Sequence, residues 1–130
     1  MKRIALALVC SLASLPAISA SSGTNTLQEY LDLQKEDANG QADKGLIDAT
    51  KTYMNGLANG FNYYNAMAKF QNQTQLFCMP SKLLLNVDLL DITIKSYVQS
   101  NENGEGLKRL KEQPVELAAL LSLTKIYPCN

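Results

Sequence analysis

Asp88 and Asp91 stand three residues apart, and Lys95 follows four further on. On a helix that spacing puts all three side chains on one strip. Two carboxyl groups held close can do acid–base work when burial separates their proton affinities. The plainer reading of the strip is a solvated polar edge on an otherwise apolar helix, and it is the stronger one. The rest of the usual catalytic repertoire is missing. The chain has no histidine, which removes the commonest general base and metal ligand near neutral pH. It has no Gly-rich phosphate loop, no nucleophile elbow and no metal-spaced cysteine set. Its serines stand without an evident base. These residues predict a protein that is not an enzyme, takes no cofactor and holds no metal.

The N-terminus has the three parts of an export signal. Met1-Lys2-Arg3 is a basic head, Ile4 to Leu15 is apolar, and Pro16 precedes the small residues Ala17-Ile18-Ser19-Ala20. The apolar run is far shorter than the ~20 residues of a spanning helix. Cleavage is expected after Ala20, with Ser19 as the alternative. Residues 1–20 are then a signal peptide and residues 21–130 a single domain of 110 residues. Losing Lys2 and Arg3 takes twelve basic residues to ten against twelve acidic ones, a formal charge of −2. With no basic surplus, neither nucleic acid nor, after cleavage, a membrane surface is an expected partner. Cys10 leaves with the signal, and Cys78 and Cys129 remain. An even pair in an exported chain reads as a disulfide. The bacterial periplasm is the expected compartment.

The elements that carry these residues read as helices throughout. Thr24 or Thr26 caps a first helix over about 26–36, with Leu27, Tyr30, Leu31 and Gln34 on one face. Asp37-Ala38-Asn39-Gly40 ends it. Asp43 caps a second helix over about 44–72, with an inward stripe of Leu46, Ile47, Thr50, Tyr53, Met54, Leu57, Phe61, Tyr64 and Ala68. Gly56 and Gly60 interrupt it, each costing about 1 kcal/mol against Ala. Plain packing is the favoured account of the two glycines; the others are a bend and the close approach of another helix. After polar residues 71–75, Ser81 caps a third helix over about 82–99. Its residues Leu83 to Val98 are apolar on most sides, so it is either central in a bundle or covered by a second copy of the chain. The second alternative predicts a homodimer. Asn101 to Gly106 reads as a turn or protruding loop. A short helix over 106–112 and a last helix over 114–126 follow, the latter opened by Pro114 in its first turn. Leu117, Leu120, Leu121 and Thr124 form its expected inward face. The fold class is therefore all-α, a compact bundle of four to five helices with one disulfide.

Asn59, Asn62, Tyr63, Asn65 and Lys69 form a polar and aromatic band partly off the second helix's stripe. Tyr and Asn make adaptable contact surface, which marks Asn62, Tyr63 and Lys69 as a secondary contact. Ordinary solvated helix surface is an equal reading.

Several of these features together resemble one family. They are Phe77-Cys78-Met79-Pro80, a Val/Leu-rich helix ending near Tyr97-Val98, a short loop, Leu117-Ala118-Ala119-Leu120-Leu121, and a terminal Tyr127-Pro128-Cys129. Over about residues 45–130 the chain resembles the Rap/Tai family of periplasmic immunity proteins against amidase effectors of type VI secretion. The Ala-poor third helix departs from that pattern and leaves the subgroup open. The resemblance implies an all-α homodimer with Cys78 bonded to Cys129. It also implies binding to a peptidoglycan amidase so that the enzyme's active-site cleft is blocked. The loop of Asn101, Glu102, Asn103, Gly104, Glu105 and Gly106 is the expected blocking element, its two glutamates suiting a basic cleft. The alternative is a small, dimeric, disulfide-bonded periplasmic chaperone of the acid-stress type. Without histidine, its switch would rest on carboxylates titrating well below pH 6.

Overall fold

Thr26 opens the first helix with a reciprocal cap. Its hydroxyl accepts from the Glu29 amide at 3.2 Å, and its own amide donates to the Glu29 carboxylate at 3.0 Å. The computed structural model describes residues 26–101 and 105–129. The expected signal peptide 1–20, residues 21–25, residues 102–104 of the expected loop and Asn130 lie outside those described. Helix α1 (Leu27–Ala38) runs from this cap to Ala38, and Gly40, just past its end, has a φ of +68° in the left-handed region that glycine enters without strain. Asp43 caps α2 (Lys44–Phe70), accepting from the Leu46 amide at 2.9 Å. At 27 residues, α2 is the longest element, about 40 Å from end to end.

The third helix departs from the sequence reading. Residues 71–86 form no helix, and α3 (Val87–Ser100) starts at Val87. Asn86 caps it, accepting from the Leu89 amide at 2.9 Å; the expected cap, Ser81, lies in an exposed turn five residues earlier. Leu84 is 73% exposed and Leu85 only 2%. Leu83 is exposed as well, and with no helical turn over 83–86 the leucine run that reads as helix is a strap.

Side chains from α2 hold the strap. Asn62 donates to the Leu85 carbonyl at 2.7 Å. Buried Asn65 donates to the Phe77 carbonyl at 2.8 Å and accepts from the Leu76 amide at 3.0 Å. Phe77 enters the core, edge-on to Phe61 with ring centroids 6.1 Å apart.

Helix α3 is the centre of the bundle, packed by α5 (Val115–Ile126) on one side and α2 on another. Its apolar breadth is met within one chain, although Ile92 remains exposed. The inward face of α5 is Val115, Ala118, Ala119, Ser122 and Leu123, not the expected leucine row; Leu117 and Leu121 are partly exposed. The small residues let α5 approach α3 closely, and the larger leucines are turned aside. Pro114 stands one position before α5, as its N-cap, with no side-chain cap bond. Between α3 and α5 lies α4 (Glu105–Lys111), which buries Leu107 and Leu110.

Two ties close the molecule. The Leu27 amide donates to the Gln113 carbonyl at 2.9 Å, and Thr26 pairs with Pro114 in an isolated antiparallel bridge. Cys78 and Cys129 form a disulfide across a separation of 51 residues, and the Cys78 amide donates to the Tyr127 carbonyl at 2.8 Å. The fold is thus a five-helix, all-α bundle with one disulfide.

On α2, Ile47, Thr50, Met54 and Ala68 are buried as expected, and Leu57 and Phe61 are half-buried. Leu46, Tyr53 and Tyr64, also expected inward, are exposed. The buried positions include Ala58 and Asn65 instead, which centres the inward face on the Met54–Ala58–Asn65 line and leaves the tyrosines outside it.

Candidate functional site: the α3–α4 end and the α2 surface

Helix α3 ends in a fold-back at Asn101. Its amide donates to the Val98 carbonyl at 3.1 Å, and its side chain donates to the Tyr97 carbonyl at 2.7 Å. Ser100 also donates to the Tyr97 carbonyl, at 2.9 Å. One carbonyl at the helix end thus collects two side-chain donors. Glu102, Asn103 and Gly104 follow, outside the described residues. The chain resumes with Glu105 and Gly106, both exposed, in the first turn of α4. Of the expected blocking loop, the described residues Asn101, Glu105 and Gly106 are all on the surface.

Beneath them lies a cavity of about 290 Å³, lined by Tyr97, Asn101, Gly106, Leu107, Leu110 and Leu121. Its wall is mostly apolar, with Asn101 at its polar edge. Leu121 is available to it because the small face of α5 points inward.

The secondary group on α2 does not line that cavity and is divided by its environment. Asn62 is partly buried and spends its amide on the strap. Tyr63 is 76% exposed, and Lys69 is exposed. Asn65, read with the same band, is a core residue. Its signal was in the spacing: it stands seven after Ala58 and eleven after Met54, on the buried line.

Asp91 is fully occupied. One carboxylate oxygen accepts from the Tyr30 hydroxyl at 2.6 Å; the other pairs with the Lys95 ammonium at 2.7 Å. Burial, then the hydrogen bond to Asp91 and its negative charge, hold the Tyr30 hydroxyl protonated far above the ordinary tyrosine range. Asp88 is exposed, and both aspartates line a cavity of about 90 Å³ together with Tyr30, Gln34, Thr50, Lys51, Met54 and Val87. The arrangement anchors α1 to α3, a role for Tyr30 that the sequence signalled only as burial. Among the described residues, no three or more Asp, Glu or Cys side chains gather as a metal would need. No described helix is long and apolar enough to cross a membrane.

Compared with protein-family models, curated proteins and solved structures, the chain matches none of them.

Proposed function

We propose that this protein is a periplasmic immunity protein that binds a peptidoglycan amidase effector of type VI secretion and blocks its cleft. The observation that carries the reading is the junction at the disulfide. Phe77-Cys78-Met79-Pro80 and Tyr127-Pro128-Cys129, two of the segments on which the family resemblance rests, are joined by the Cys78–Cys129 bond and by the Cys78 amide to Tyr127 carbonyl hydrogen bond. The site supports a binding role in its chemistry. Asn101, Glu105 and Gly106 present polar groups and a carboxylate at the α3–α4 end. Recognition there needs a basic or hydrogen-bonding cleft and no reaction on this chain.

The test mixes the oxidised protein with the cell-wall amidase encoded beside its gene, following complex formation and peptidoglycan digestion together. Tight binding with digestion abolished is the expected result. No binding and undiminished digestion overturns the reading and turns the next assay to client aggregation at low pH. Replacing Glu102, Asn103 and Glu105 by Ala then separates the loop from the rest: unchanged inhibition removes the loop from the interface while leaving immunity intact.

A further inference from the structure

Six of the large apolar side chains left exposed by the fold stand on one face of α2: Leu46, Tyr53, Tyr63, Tyr64, Met67 and Phe70. Phe70 is 83% exposed, more than any other large apolar residue described. Their spacing follows the helical period and runs along about 36 Å of the helix. With ~200 Å² for a fully exposed aromatic-sized side chain, the exposed part of this face is roughly 700 Å². That is more apolar surface than a monomer usually leaves in one stripe, and close to the ~800 Å² each partner gives to a stable interface.

Gly56 and Gly60 lie in the middle of the same face. A Cβ built on either meets nothing within 4 Å, so nothing inside this chain requires glycine there. Both φ angles are negative, so the backbone does not require it either. Each glycine weakens the helix by about 1 kcal/mol against Ala, a cost with no return in the single chain. The return is close approach of a second helix.

The face also lacks charge. No Asp, Glu, Lys or Arg occurs between Lys51 and Lys69, so a like-charged copy meets no repulsion along it and a charged partner finds nothing to pair with. Its pattern is complementary to itself. With two copies of α2 antiparallel about a two-fold axis that crosses the exposed face at the height of residue 58, Gly56 meets Gly60, Tyr53 meets Tyr63, and Ala49 meets Met67. Small residues then stand against small or large ones, as an isologous contact requires.

We propose that this face is a self-association surface, on which a second copy of the chain packs its own α2 antiparallel, with Gly56 of each copy against Gly60 of the other. The face differs from the one the sequence suggested, since α3 is covered from within, and the inference does not depend on the immunity reading.

The experiment expresses the full chain, purifies the protein with its disulfide intact and follows its mass by sedimentation equilibrium across the micromolar range. A dimer is expected. Gly56→Ala with Gly60→Ala should raise its dissociation constant roughly tenfold or more, while the thermal midpoint of the dilute monomer rises. Those two effects of opposite sign distinguish a contact from a folding defect. Tyr63→Lys with Phe70→Lys, at exposed positions, should give a folded monomer. A wild-type monomer throughout the range overturns the proposal. So does a dimer that both α2 variants leave intact but Leu121→Lys disrupts.

Discussion

The side-chain amide of Asn65 donates to the carbonyl of Phe77 at 2.8 Å, and its oxygen accepts from the amide of Leu76 at 3.0 Å. One helical side chain therefore stands in for the neighbouring strand that this extended segment lacks. Phe77, two positions past Gln75 in the strap, reaches the core through that hold. Asn65→Ala leaves the strap's backbone groups without partners and should cost about 3 kcal/mol. Urea unfolding measures this. A loss below about 1 kcal/mol would mean that water or a shifted strap replaces the side chain.

The position of the α3 cap separates two readings of the leucine-rich segment. Asn86→Ala should destabilise the protein by about 1 kcal/mol, the usual worth of a helix cap. Ser81→Ala should change stability little, since Ser81 is exposed in a turn and caps nothing. The reverse ranking in thermal melts would put the start of the helix back at residue 82.

Tyr30 gives the protein an alkaline limit. Its hydroxyl is held protonated above the ordinary range in the folded state and titrates near pH 10 when unfolded. Above pH 10 the unfolded chain therefore carries fewer protons than the folded one, and stability falls as pH rises. The contribution is complete below pH 10 and shrinks at about 1.4 kcal/mol per pH unit above it. Tyr30→Phe should lose about 2 kcal/mol at neutral pH, where the bond to the Asp91 carboxylate is removed. Its stability should then fall less steeply above pH 10. Parallel curves for the two proteins between pH 9 and 12 would refute the assignment.

The disulfide is on the surface, with both cysteines exposed. A mild thiol reductant should therefore reach it without prior unfolding. Chain entropy for a separation of 51 residues gives about 4 kcal/mol of stabilisation. Reduction, or Cys78→Ser with Cys129→Ser, should lower the thermal midpoint accordingly. A midpoint insensitive to reductant would place the tie of the C-terminal segment in the Cys78–Tyr127 backbone bond instead.

Periodicity and caps made most of this architecture legible. Thr26, Asp43 and Gly40 are where helix-end chemistry puts them, because each signal is local. The strap was not legible, because Leu83-Leu84-Leu85 satisfies a helical and an extended pattern equally well. What decides between them is the distant amide of Asn62 on the Leu85 carbonyl. The face of α5 was misread for a related reason. A leucine row looks like a core, yet Ala118, Ala119 and Ser122 permit the closer contact with α3, and proximity outweighs side-chain size. At the candidate site, the turn at Asn101 was evident from its residue types. The Tyr30–Asp91 bond joins positions 61 apart in the chain and has no local signal at either end.

The bond from the Leu27 amide to the Gln113 carbonyl has a bearing on the order of events in biosynthesis. A chain that emerges from its N-terminus cannot tie the start of α1 to residue 113 until that residue has been made, and it cannot close the Cys78–Cys129 ring until sixteen more have followed. Until nearly the whole polypeptide has been made these two ties are missing, whereas the Tyr30–Asp91 bond needs only residue 91. The first helix is thus secured in two stages, against α3 while the chain is still being made and against the segment before α5 only near its end.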